Sequence, residues 1–102
     1  MSRQDVAADA LRLWGQDAQL DMMIEECAEF IQAVQHYKRG RVGADAVASE
    51  IADVRLMMDQ AAHMFGEDLC RDLHRQKLIR LTTRIDAAEA RAHALSKAPP
   101  HD

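Results

Sequence analysis

The stretch MIEECAEF, residues 23–30, sets Glu25, Glu26 and Glu29 in one helical turn beside Met23, Ile24, Cys27 and Phe30. A second acidic pair, Glu50 and Asp53, stands in SEIAD, residues 49–53. Glu26 with Glu29, and Glu50 with Asp53, are i,i+3 neighbours, so each pair projects together from a single turn. Residues 30–49 separate the pairs and include a tight turn, so an antiparallel hairpin lays one pair beside the other. Four converging carboxylates repel one another unless a counter-charge sits among them. Hard divalent cations take oxygen ligands, and Mg²⁺ in particular favours a few carboxylates with waters and substrate phosphates. Di-iron bundles need Glu-x-x-His and zinc proteases need HExxH; neither pattern occurs in the chain. An all-oxygen Mg²⁺ site, with Mn²⁺ as the alternative ion, is the chemistry these residues predict.

A helical wheel at about 100° per residue ranks the acids. On the second helix, with Cys27 at zero, the apolar stripe lies within about 60° to either side. Glu26 falls at about −100°, on its flank, while Glu25 and Glu29 fall on the far, solvent side. On the third helix, with Val54 at zero, Asp53 lies at about −100°. Glu50 lies at about −40°, inside the apolar arc. Glu50 is therefore the strongest clue, because a carboxylate aimed at a core is costly unless paired or neutralised.

The elements that carry these residues read clearly. Hydrophobic residues make up 48% of the 102, aromatics only 4%, and Gly and Pro together number six. That composition, rich in strong helix formers and without any sustained β-type alternation, predicts an all-α chain. Ser2 and Asp5 have capping-box spacing and open a short first helix that Gly15 closes. The second helix is expected over about 17–37, with Leu20, Met23, Ile24, Cys27, Phe30, Ile31 and Val34 on its stripe. KRGRVG, residues 38–43, breaks it. The third helix is expected over about 45–65, its stripe being Val47, Ile51, Val54, Met58, Ala61 and Phe65. Gly66 stops it, and a fourth helix starts near Glu67. Such stripes cannot be buried singly, and a four-helix bundle is the economical arrangement. The expected organisation is one helical domain over 1–95 followed by a loose tail, 96–102.

The two acidic motifs on consecutive helices, read with LWGQDAQLDMMIEECAEFIQAVQHYKRGR, resemble the MazG-like all-α nucleoside triphosphate pyrophosphohydrolases. The resemblance spans roughly residues 11–85, and its specificity lies in the combination of EE-x-x-E, the gap and E-x-x-D. It implies Mg²⁺-dependent cleavage of an NTP or dNTP between its α- and β-phosphates, a nucleotide-pool housecleaning reaction. Residue by residue it implies Glu26, Glu29, Glu50 and Asp53 as metal ligands, and Glu25 matches the doublet's first glutamate, either supporting those ligands from behind or orienting the attacking water. It also implies a homodimer or homotetramer whose site lies near the subunit interface, which would cover the helix face carrying Glu29.

A basic complement lies on the fourth helix. With Leu81 at zero, Lys77 falls at about −40°, Arg84 at about −60° and Arg80 at about −100°, along one edge of an apolar stripe. These three are candidates for the β- and γ-phosphates, which the resemblance supports. Many relatives of that kind carry an Asn here; KLIRLTTR lacks it, and Thr82 or Thr83 stands as the substitute. Lys38, Arg39 and Arg41 in the hairpin turn are further cations. For the base, the candidate rings are Trp14, His36 and Tyr37, since stacking holds bases without reading them closely.

A net charge of −4 disfavours a stable grip on nucleic acid. Cys27 and Cys70 fall on apolar stripes and read as buried structural thiols. No apolar run is long enough to span a bilayer and no leader pattern is present, so a cytoplasmic protein is expected. A helical interaction module without catalysis, its acids merely solvated, is the alternative from another class.

Overall fold

The computed structural model describes residues 1–97, which form four α-helices: α1 (Arg3–Trp14), α2 (Gln16–Lys38), α3 (Ala44–Phe65) and α4 (Glu67–Ser96). No strand occurs among the described residues. The all-α expectation holds; α1, α2 and α3 begin and end within two residues of the positions read from the sequence, and α4 begins at the expected Glu67. Residues 98–102, most of the expected tail, lie outside the described residues. The chain divides into two compact units, Met1–Glu67 and Asp68 onward.

Local chemistry accounts for the helix ends in the first unit. Ser2 Oγ accepts from the Asp5 amide at 3.1 Å, and the Ser2 amide donates to Asp5 Oδ2 at 3.1 Å, so the capping box is closed on both sides. At the far end of α1 the Gly15 amide donates to the Leu11 carbonyl at 2.9 Å. Gly15 has φ of +85°, in the region that suits glycine, although nothing lies within 4 Å of where a Cβ would stand. Conformation rather than crowding demands glycine there. Past α2, the Gly40 amide donates to Tyr37 O and the Arg41 amide to His36 O, turning the chain back into α3.

α2 packs along α3, and α1 lies chiefly against α3. Ala7 and Ala10 of α1 are buried, and their small side chains bring that helix close. An exposed bidentate pair, Arg3 Nη2 to Asp59 Oδ1 at 2.7 Å and Arg3 Nε to Asp59 Oδ2 at 3.0 Å, ties its start to α3. Among the described residues, Met57 is the remaining buried apolar one.

The inward faces of α2 and α3 keep the stripe residues Leu20, Met23, Cys27, Phe30, Val34, Val47, Val54 and Ala61 half-buried and extend beyond the stripes on one side. Buried or half-buried positions on α3 include Glu50, Asp53, Met57, Gln60 and Met64; on α2 they include Gln19, Met23, Glu26, Phe30 and Ala33. On the same wheels these ten lie between about −40° and about −120°. The opposite flank is exposed: Ile24 and Ile31 on α2, and Ile51, Met58 and Phe65 on α3, with Ile24 at 66% and Phe65 at 63%. Each apolar arc is wider than the contact one neighbouring helix covers.

In the second unit, α4 has no buried residue, and Leu69, Leu73, Leu78, Ile79, Leu81, Ile85 and Leu95 are exposed. Cys27 and Cys70 are free and half-buried, less enclosed than expected.

Candidate metal centre

The α2–α3 register decides what meets what. Gln19 of α2 faces Gln60 of α3, Nε2 donating to Oε1 at 2.6 Å. Seven residues further along α2 and seven back along α3 stand Glu26 and Asp53, close enough for the Asp53 charge to act on Glu26. Glu26, Glu29 and Glu50 each offer a carboxylate oxygen, and those oxygens all lie within 4.8 Å of one another. The antiparallel hairpin thus brings Glu50 to the first motif, while Asp53, the fourth expected ligand, stands beside the cluster and not among the converging oxygens.

Burial makes this cluster unlike an ordinary acidic surface. Glu26 and Glu50 are half-buried and Glu29 is exposed. Glu26 Oε2 and Glu50 Oε2 are themselves buried and have no hydrogen-bond partner. Enclosure raises the Glu26 carboxyl above the usual glutamate value, and the charges of Glu29, Asp53 and Glu50 raise it further. Glu50 is raised in the same way, by enclosure first and then by Glu29 and Asp53. Two orphaned acceptors within an all-oxygen donor set suit a hard divalent cation. Glu25 is exposed and outside the three-carboxylate cluster.

A cavity of about 550 Å³ opens directly beside the acids. Glu26 and Asp53 line it together with Trp14, Gln19, Met57 and Gln60, and Met22 and Leu56 add further apolar wall. Trp14, 64% exposed, is therefore at this cavity. His36 and Tyr37 do not line it. They sit at the end of α2, about 25 Å along the helix axis from Gln19. Gln19 and Gln60 carry neither charge nor a place in the hydrophobic period, so their residue types do not mark them. The signal that could have found them is angular. On the wheels above they fall at about −80° and about −120°, the flank that holds Glu26 and Asp53.

The cations belong to the second unit. Lys77, Arg80 and Arg84 lie on α4, all exposed, and none is in an ion pair among the described residues. The Thr82 hydroxyl donates to Leu78 O at 2.9 Å and that of Thr83 to Ile79 O at 3.1 Å, so both hydroxyl protons are held by their own helix. Lys38, Arg39 and Arg41 are exposed around the hairpin turn.

No family profile, curated protein or solved structure matches the chain. The residues and their geometry are what define this centre. No helix among the described residues is long and apolar enough to cross a membrane.

Proposed function

We propose that this chain is a Mg²⁺-dependent nucleoside triphosphate pyrophosphohydrolase of the MazG-like kind, converting (d)NTP and water to (d)NMP and pyrophosphate. The observation that carries the reading is the convergence of Glu26, Glu29 and Glu50, two of them with buried, unpartnered oxygens. Glu26, Glu29, Glu50 and Asp53 would hold Mg²⁺, or Mn²⁺ in its place. A divalent ion bound there neutralises phosphate charge and lowers the pKa of a coordinated water. Phosphoanhydride hydrolysis asks chiefly for such charge balance and for an in-line water, with little covalent help from protein. Glu25, one residue before Glu26, is assigned to orienting that water, and Lys77, Arg80 and Arg84 to the outer phosphates. Trp14 is the ring set beside the acids, and His36 and Tyr37 are contacts of lower rank because they stand away from the cavity.

The exposed flank of α2 and α3, with Ile24, Ile31, Ile51, Met58 and Phe65, supports assembly as a homodimer or homotetramer that completes a helical bundle. The same flank also supports the second reading, a helical interaction module without catalysis. No stable nucleic-acid binding is expected of either, and a cytoplasmic setting suits both.

A panel of canonical and modified NTPs and dNTPs with Mg²⁺, assayed for pyrophosphate, decides between them. Release from at least one nucleotide, lost in Glu50→Gln and Asp53→Asn, is expected. No release from any nucleotide, together with no effect of Mg²⁺ or Mn²⁺ on the melting temperature, would sink the enzyme reading.

A further inference from the structure

From the cavity walls we infer that the Gln19–Gln60 pair is a base-reading element, and that the space beside the carboxylates takes a nucleobase. The inference rests on the nucleotide reading above and assigns a part of the site that the carboxylates leave undefined. Gln19 and Gln60 are each 8% exposed and stand in a wall that Met22, Leu56 and Met57 make apolar. Replacing a buried amide pair by two leucines commonly costs nothing in stability, so core packing alone gives no reason for amides here.

Their orientation follows from one fixed acceptor. The Leu56 carbonyl can only accept, and Gln60 Nε2 donates to it at 3.5 Å. That turns Gln60 Oε1 toward Gln19, whose Nε2 donates to it at 2.6 Å. An amide nitrogen carries two protons and its oxygen accepts two bonds. Gln19 is thus left with Oε1 and one N–H uncommitted among the described residues, at the wall of a cavity. An acceptor beside a donor is the complement of a heterocycle edge, and glutamine is a side chain that reads such edges in pairs. Trp14, at the same cavity, supplies a face for the ring to stack on. Glu26 and Asp53, also in its lining, set the phosphate end. An enclosed amide, an indole and a carboxylate centre around one space match base, ring face and phosphates of a nucleotide in that order.

The test uses free nucleosides, which carry no phosphate and need no metal. Trp14 is the only tryptophan of the chain, so its fluorescence reports the cavity directly. Adenosine, guanosine, cytidine, uridine and thymidine are titrated into metal-free wild type and into Gln19→Leu/Gln60→Leu, in which both amides leave together. Wild type is expected to bind with at least about ten-fold preference among bases, and the double variant to lose that preference. Should the double variant fail to fold by circular dichroism, Gln19→Asn, which withdraws the amide by one methylene, is expected to lose it instead. Equal quenching by all nucleosides, no quenching by any, or preference unchanged in the variants would overturn the inference. Selective binding by a chain that hydrolyses no NTP would uphold the base site while refuting the hydrolase. Turnover whose base preference survives loss of the amides would do the reverse.

Discussion

Two polar stations stand seven residues apart in the same α2–α3 seam, and they solve burial differently. At one, the Gln19 amide donates to Gln60 Oε1 at 2.6 Å. At the other, Glu26 and Glu50 each leave a buried oxygen without a partner, with Glu29 and Asp53 adding like charge. Neutral amides carry both donors and acceptors and can close a pair from within the chain, whereas ionised carboxylates only accept. The amide station closes one bond within the chain and keeps Gln19 Oε1 and one N–H free of partners among the described residues, whereas the carboxylate station has acceptors alone. One seam therefore sets a neutral, hydrogen-bonded amide pair beside carboxylates whose buried oxygens have no partner.

The comparison breaks most sharply at Glu50. Glu50→Ala is expected to reduce pyrophosphate release by at least about a hundred-fold, with the fold retained or stabilised in metal-free buffer because a buried repulsion is relieved. Marked unfolding of that variant without metal would show that Glu50 serves the core and not a site. Next in size is the response to the ion itself. Mg²⁺ at about a hundred times its dissociation constant should stabilise wild type by about 2.7 kcal/mol, visible as a higher melting temperature. Glu50→Gln and Asp53→Asn should remove that gain; an equal gain in the variants would place the ion elsewhere.

The amide station offers the matching perturbation. Gln60→Ala strands the enclosed Gln19 amide and should cost about 1–3 kcal/mol, while Gln19→Leu/Gln60→Leu should be nearly neutral. Chemical denaturation of both variants tests this, and a double variant as unstable as the single one would refute the hydrogen-bonded pair.

The pH response is smaller and has a definite sign. Folded Glu26 and Glu50 hold their protons to higher pH than the unfolded chain does, chiefly because they are enclosed and then because Glu29 and Asp53 face them. Protons then favour the folded state, and the stability they contribute is lost as pH rises through the raised values. Metal-free protein should melt lower at about pH 7 than at about pH 5, and saturating Mg²⁺ should flatten the difference. A metal-free melting temperature that rises over that interval would contradict the enclosed carboxylates. Smallest of all is Arg3→Ala, which removes an exposed pair with Asp59 and should leave the denaturation midpoint almost where it was. A large drop in that midpoint would make the pair a true anchor of α1.

Much of this was legible in the residues themselves. The Ser2–Asp5 box, Gly15, KRGRVG and Gly66 mark helix ends because capping and positive φ are local demands that a few neighbouring residues meet or fail to meet. The meeting of Glu26 and Glu29 with Glu50 follows from two i,i+3 pairs and a hairpin, which leave few alternatives. Periodicity alone was a poorer guide to direction. It centred α2 on Cys27 and α3 on Val54, which are half-buried, but did not show that the Glu26 and Asp53 flanks turn inward as well while Ile24, Ile31, Ile51, Met58 and Phe65 stay exposed. A wheel finds the middle of an apolar arc; it cannot say which part of a wide arc one neighbour will cover.

Helix extents and acidic pairing were thus decided by the sequence, since both depend on contacts a few residues or one hairpin apart. The tertiary structure decided that Glu26 shares the enclosure of Glu50, that Trp14 stands at the same cavity as the acids while His36 and Tyr37 do not, and that two unremarkable glutamines form an enclosed pair. Those outcomes depend on the rotation of one helix against another, a property of the packed interface that neither helix carries alone.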